Sequence, residues 1–211
     1  MAQRSPPFRD DQAAGIVQEA ARILCEEGQL DYRTAKLKAV QRLGLSPRAA
    51  LPDNARIQSA VVEYQRLFGG LDYARRLRRM RAAAVKAMRL LEGFEPRLVG
   101  AVVNGAVTAA HRVQLQAFDE QAERVELFLH DRGIPFRQDD RTYRYPDGSE
   151  ERVPLVRFDA GDIGIDVAVF AFDDRRRVPL SPMDGLPMKR LALAEAEALA
   201  RIGEQQILAG P

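Results

Sequence analysis

Apolar residues recur every three or four positions through the first 92 residues, which places their side chains on one face of an α-helix. Glycine and proline residues divide this pattern into four segments. Acidic residues precede three of the segments, where they favour a helix N-terminus. We predict a loose leader over residues 1–10, which contains Pro6 and Pro7, followed by helices over about 11–28, 31–43, 53–68 and 71–91.

After Gly93 the pattern changes, because apolar and polar residues begin to alternate as they do in β-strands. The sequence Pro146-Asp147-Gly148-Ser149 separates two long alternating stretches and is typical of a hairpin turn. An alanine-rich stretch near the end of the chain indicates a C-terminal helix. We predict strands over 97–103, 112–118, 134–145, 151–159 and 163–172, and helices over about 120–132 and 189–208.

These elements predict an α+β protein with two parts. Residues 1–92 form a helical N-terminal region, and residues 93–211 form a mixed-sheet α/β domain that ends in the C-terminal helix. A chain of 211 residues is long enough for one sizeable domain or for a small domain with an appendage.

The stretch over residues 98–118 has the most informative pattern in the chain. An apolar run reaches Gly100-Ala101, a short loop follows, and strict alternation then begins. The alternation gives the second predicted strand an apolar face, with Val113, Leu115 and Ala117, and a second face, with Arg112, Gln114, Gln116 and Phe118.

This layout resembles the core of the nucleotidyltransferase superfamily, the polymerase-beta-like fold. That core has a Gly-Ser-type turn after one strand, then a loop, and then a strand that opens with two acids separated by one residue. In this chain Gly100-Ala101 stands at the turn, and Arg112 and Gln114 stand at the two acids. A third acid on a neighbouring strand corresponds to Asp166. The whole chain is similar to bacterial nucleotidyltransferase-domain proteins that have a helical region ahead of the domain.

In an active member, the resemblance implies that three acids hold two Mg²⁺ ions and that a nucleotidyl group passes from a nucleoside triphosphate to a hydroxyl. Two of these acids are absent here. Arg112 repels Mg²⁺, and Gln114 is a weak neutral ligand. Asp166 is the remnant acid, which either still binds metal or pairs with an arginine such as Arg112. Catalysis is therefore uncertain, no metal site is assigned, and Mg²⁺ and a nucleoside triphosphate are expected only if the protein is active.

The same region supplies the candidate ligand-binding residues. Glycine lets the backbone approach a phosphate closely, so the turn can bind phosphate without metal, although glycine and asparagine also serve ordinary loops. A histidine at the mouth of the cleft is either an acid or base or a plain surface residue. An arginine can replace the charge of a metal against an anionic ligand. The candidates are Gly100, Asn104, Gly105, His111, Arg112 and Gln114.

Charge is unevenly distributed, although the net charge is only +2. Residues 1–92 carry 17 Lys/Arg and 10 Asp/Glu, a net of +7, whereas residues 93–211 carry 15 and 20, a net of −5. Either the two halves pack through complementary surfaces, or the basic helix binds nucleic acid, phosphate or an acidic protein. The residues that would make this contact are Arg75, Arg78, Arg79 and Arg81.

Other features of the composition exclude several classes of protein. No apolar run approaches the roughly 18 residues that span a bilayer, and the N-terminus lacks the apolar core of a signal peptide, so we expect a cytoplasmic protein without a membrane partner. The only cysteine, Cys25, excludes an intramolecular disulfide, and the two histidines have no zinc spacing. The sequence does not predict the oligomeric state.

Three hypotheses for the function remain. The first is a catalytically degenerate nucleotidyltransferase-like protein that acts as a nucleotide-binding, phosphate-binding or regulatory module. The second is an active Mg²⁺-dependent nucleotidyltransferase with a rearranged site, which would recruit Asp119, Asp159 or Asp162. The third is a nucleic-acid-binding protein that uses the arginine-rich helix 75–89. A helix-turn-helix regulator is disfavoured, since Pro47 and Pro52 leave only a loop where its recognition helix would begin.

Overall fold

The computed structural model describes residues 7–28 and 31–210, with the backbone alone for residues 7–10. In these ranges the protein has the predicted α+β class, with helices and one five-stranded mixed sheet of order β1-β2-β5-β4-β3. Strands β2 and β5 are parallel, and the other neighbouring pairs are antiparallel. The strands are β1 (Arg97–Val99), β2 (Val113–Phe118), β3 (Phe136–Arg144), β4 (Glu150–Ala160) and β5 (Ile163–Phe170).

Two helices of the N-terminal region begin where the acidic residues predict them. Asp31 accepts a hydrogen bond from the backbone N–H of Thr34 at 2.9 Å, and Asp53 accepts one from that of Arg56 at 2.7 Å. In the described residues no helix is both long and apolar enough to cross a bilayer. The α-helices are α1 (Pro7–Glu26), α2 (Tyr32–Arg42), α3 (Asn54–Tyr64), α4 (Gly70–Leu90), α5 (Ala101–Asn104), α6 (Glu123–His130), α7 (Leu193–Ala200) and α8 (Glu204–Ala209).

Three predicted boundaries are wrong. Helix α1 already begins at Pro7, because proline is well suited to the first turn of a helix, and residues 1–6 of the predicted leader lie outside the described residues. Strand β1 ends at Val99 because Gly100, with a φ of 77°, turns the chain into α5. The predicted C-terminal helix is divided into two helices. The chain is extended at Gly203, with a ψ of 163°, and α8 begins at the next residue.

One layer of helices covers one face of the sheet. Buried side chains of α4, such as Leu77 and Met88, share a hydrophobic cluster with Leu115, Ile165 and Val167 of the central strands. Helices α6, α7 and α8 add to the same cluster. Helix α4 therefore belongs to the core of the sheet, although it precedes residue 93, whereas α1, α2 and α3 form a separate cluster.

A π-helical turn over residues 65–69 joins α3 to α4. The side chain of Gln65 is buried in this turn and packs against Gly69. A Cβ atom at Gly69 would overlap the Gln65 side-chain oxygen and lie 2.8 Å from the Cβ of Tyr73. The turn therefore requires glycine at position 69, where there is no space for a side chain.

We expect Gly69→Ala to lower the free energy of unfolding by about 1–3 kcal/mol, because the added methyl group overpacks a filled space. Urea unfolding followed by circular dichroism measures the change. Gly93→Ala is the matched control, since a Cβ at Gly93 meets nothing within 4 Å. Equal stability of the two variants would contradict the packing described for Gly69.

Candidate functional site

The two faces of the sheet differ in what covers them. On β2, Val113, Leu115 and Ala117 are buried beneath the helical layer, as the alternation predicts. The opposite face is aromatic at one end, where Phe118 and Phe170 pack together. Its other end, at the start of β2 and β5, is polar and carries the candidate site.

Asp166 lies at the centre of the polar end. In the sheet it pairs with Gln114 of β2 on one side and with Arg157 of β4 on the other. Only 4% of the residue is exposed to solvent. Burial of a carboxylate at this depth is unfavourable unless charge and hydrogen bonds compensate it.

Three arginines from three different elements compensate Asp166. Arg112 donates from Nε to Oδ1 at 2.6 Å, Arg141 donates from Nη2 to Oδ2 at 3.2 Å, and Nε of Arg157 lies 3.8 Å from Oδ1. Burial lowers the pKa of Arg112, but the hydrogen bond and charge of Asp166 outweigh burial, so that the pKa of Arg112 is raised overall. The structure thus contains the ion pair between Arg112 and Asp166 that was one of the two interpretations of this acid.

Arg112 is held by further hydrogen bonds as well. Its Nη1 donates to Asp159 at 3.0 Å, and its Nη2 donates to the carbonyl oxygens of Phe158 at 2.9 Å and Ile165 at 3.3 Å. The guanidinium lies against Gly164, where a Cβ atom would overlap it. Arg112 therefore joins the start of β2 to β4 and β5, and most of its donors are already used.

These residues do not fit a two-metal site. Both carboxylate oxygens of Asp166 accept hydrogen bonds from guanidinium groups, which leaves Asp166 poorly placed to ligate a cation. Across residues 7–28 and 31–210 there is no group of three His, Cys, Asp or Glu side chains that could hold a metal ion.

Of the acids that a rearranged site would recruit, Asp159 lies near Asp166, because both bind the Arg112 guanidinium, whereas Asp119 does not. Asp119 follows the far end of β2, six residues from Val113, which corresponds to roughly 20 Å along a strand. Each of the three acids also forms an ion pair: Asp159 with Arg112, Asp162 with Arg79, and Asp119 with Arg124.

The other candidate ligand-binding residues fall into two groups. Gly100 lies against the side-chain amide of Gln114, on the face that carries Asp166. Asn104 and Gly105 lie at the opposite end of α5, where Asn104 caps the backbone N–H of Ala106 at 2.9 Å. The carbonyl of Gly105 accepts a hydrogen bond from a buried tyrosine of α4 at 3.0 Å. The structure therefore brings Gly100 and Gln114 to the site, packs Gly105 against α4 and leaves Asn104 exposed at the end of α5.

His111 is fixed within its own loop. Its Nδ1 accepts a hydrogen bond from the backbone N–H of Thr108 at 3.0 Å and lies 2.9 Å from the Thr108 hydroxyl. Burial lowers the pKa of His111, so the neutral imidazole is favoured in the folded protein. These contacts indicate a structural role for His111, which stabilises the loop that precedes Arg112.

The arginine-rich helix is largely neutralised by the second half of the chain. Arg75 and Arg78 pair with Glu204 of α8 at 3.8 and 3.2 Å, and Arg79 pairs with Asp162. Arg81 differs from these three, since it is only 6% exposed. It donates to the backbone carbonyl at position 102 at 3.4 Å, and burial lowers its pKa. The ion pairs favour the complementary-surface interpretation of the charge distribution.

Several residues of the site were not among the sequence-based candidates. Arg141 and Arg157 reach Asp166 from β3 and β4, and Gly164 provides the space for Arg112. One signal in the sequence indicates Arg157. A two-residue turn at Gly161-Asp162 pairs residue 160 with 163, and that register places Arg157 opposite Asp166.

We expect Gly164→Ala to lower the free energy of unfolding by about 1–3 kcal/mol, because the new methyl group displaces the Arg112 guanidinium. In an Arg112→Ala background the same change should cost less, with a coupling energy of about 0.5–3 kcal/mol. Urea unfolding of the wild type, the two single variants and the double variant completes the cycle. Strict additivity would contradict the contact.

We expect His111 to make the free energy of unfolding decrease as the pH falls. Its pKa is lower in the folded protein than the ordinary value of 6.5, so the unfolded chain binds more protons. This contribution is fully present above the unfolded pKa and is lost as the pH falls towards the folded pKa. We expect His111→Gln to lose less stability than wild type between about pH 7.5 and pH 5 in urea unfolding. His130→Gln, on the exposed side of α6, controls for the loss of a histidine.

Comparisons with known proteins assign no family to the chain. No protein-family model matches it, and no curated protein matches it either.

Proposed function

We propose that the protein is a catalytically degenerate, nucleotidyltransferase-like module that binds a nucleotide or another phosphate-bearing ligand on the polar end of the sheet face. The convergence of three guanidinium groups on the buried carboxylate of Asp166 carries this proposal. Arginine suits such a ligand because its planar donors match two phosphate oxygens at once.

Two arginine donors on this face have no acceptor, and they support the proposal. Nε of Arg157 and Nη2 of Arg190 are buried and have no hydrogen-bond acceptor in the part of the chain that the structure describes. Arg190 lies on the same face beside the aromatic end, since its Nε donates to Gln116 of β2 and its guanidinium is 5.3 Å from the ring centroid of Phe118. Burial lowers the pKa of Arg190. A buried cationic donor without an acceptor is costly, and a ligand oxygen would remove that cost.

The arginines differ in how many of their hydrogen-bond donors are already used within the protein. Arg112 is occupied by Asp166, Asp159 and two carbonyl groups, so it neutralises Asp166 and positions the strands. Arg141 and Arg157 are partly exposed and retain donors, which makes them the candidates for direct contact with the anion. This assignment differs from the expectation that Arg112 contacts the ligand itself.

A thermal-shift titration with the four nucleoside triphosphates, each with and without Mg²⁺, tests the proposal. A ligand that binds only the folded protein raises the melting temperature by mass action. We expect a shift that does not require Mg²⁺, because arginine charge takes the place of metal charge. A shift that appears only with Mg²⁺ would instead support an active enzyme with a rearranged site, and no shift with any nucleotide would contradict nucleotide binding.

Substitution of the arginines that we expect to contact the ligand tests whether binding occurs on this surface. We expect Arg141→Gln and Arg157→Gln each to weaken binding roughly 10- to 150-fold, the equivalent of about 1.5–3 kcal/mol for a charge-assisted hydrogen bond. Isothermal titration calorimetry with the nucleotide that gives the largest thermal shift measures the change. Arg152→Gln is the matched control, because Arg152 is on β4 but points to the opposite face and pairs with Asp140. Equal losses in all three variants would mean that the effect is general electrostatics.

A further inference from the structure

Three large apolar side chains are exposed together where α3 meets α4. Leu67 is 69% exposed, Phe68 is 71% exposed and Leu71 is 44% exposed. We call these three residues the elbow patch. Large apolar residues that are exposed singly are common, but a group of neighbours marks an interaction surface.

The elbow patch is held in place by packed structure. Gln65 turns inwards in the π-helical turn, and the ring of Phe68 packs against that of Tyr64 at a centroid distance of 4.6 Å. Gly70 then turns the chain into α4 with a φ of 51°. Short π-helical turns often mark functional positions, because the extra residue redirects side chains. The backbone that carries the patch is therefore fixed by the buried Gln65 and by the contact between Tyr64 and Phe68.

Opposite charges flank the elbow patch. Glu63 precedes it on α3 and Arg75 follows it on α4, each six residues from Gly69. Both side chains are exposed, and Glu63 takes part in no ion pair among the described residues. Arg75 has only long contacts, at 3.8 Å, with Asp72 and Glu204. Glu63 is thus unpaired among the described residues, and Arg75, whose side chain is 58% exposed, is held only by these two long contacts and can turn to a carboxylate of a partner.

We propose that the elbow patch is the interface of a twofold-symmetric dimer of this chain. Twofold symmetry brings the same patch of two copies together and places each end of one patch against the opposite end of the other. Glu63 of one copy then meets Arg75 of the second copy, and the reciprocal pair forms at the other end. A surface with an apolar centre and opposite charges at its two ends is therefore complementary to itself. This inference does not depend on the proposed ligand.

Sedimentation equilibrium of the full chain over a series of concentrations tests the dimer. We expect the wild type to dimerise, and Leu67→Glu and Phe68→Glu each to raise the dissociation constant at least about tenfold. Leu127→Glu is the matched control, since Leu127 is a leucine of α6 that is 60% exposed outside the patch, and it should leave the constant unchanged. Circular dichroism and the melting temperature of each variant show that it is folded.

Charge reversal tests the twofold arrangement separately. We expect Glu63→Arg or Arg75→Glu alone to weaken dimerisation, and the double variant to recover most of it. A wild type that stays monomeric up to its solubility limit would overturn the proposal and leave a different protein as the occupant of the patch. A dimer that survives Leu67→Glu and Phe68→Glu, or a double variant without recovery, would overturn it as well.

Discussion

The compensation of one buried carboxylate organises this protein. Asp166 is on the central strand β5, and the arginines that neutralise it come from β3, from β4 and from the residue before β2. Because an uncompensated buried carboxylate costs several kcal/mol, these elements are constrained to meet at the polar end of the sheet. The same ion cluster therefore holds the strands together and contains the arginines for which we propose ligand binding. Stability and binding are not independent at this site.

The positive charge of an arginine side chain differs physically from that of a bound metal ion. The guanidinium of Arg112 is present in every folded molecule, and it donates hydrogen bonds at fixed angles, whereas a metal ion exchanges with solvent and accepts ligands. The charge of the site is thus independent of metal concentration. Four oxygen atoms surround this guanidinium, and Gly164 leaves it space. Arg112 therefore neutralises Asp166 and positions the strands, and its donors are directed at the protein itself.

The parts of the fold that follow from local patterns could be predicted from the sequence. Alternation in β2 predicted its buried face, and pairing with an arginine such as Arg112 was one of the two roles predicted for Asp166. The register of Arg157 was also accessible through the turn at Gly161-Asp162. Arg141 was not, because its reach to Asp166 depends on its side-chain conformation. The π-helical turn and the contact between Arg112 and Gly164 depend on tertiary packing, which a local sequence pattern does not predict.

The parallel pairing of β2 with β5 has a consequence for the order of folding. Strands β3, β4 and β5 are joined by short turns and pair with their neighbours along the chain, so that they can form early as a meander. Strand β2 must then close a loop of about fifty residues before it meets β5. Until this closure Arg112 and Asp166, which are 54 positions apart, remain separated. We therefore expect Arg112 to join the ion cluster last, after β3, β4 and β5 have brought Arg141 and Arg157 to Asp166.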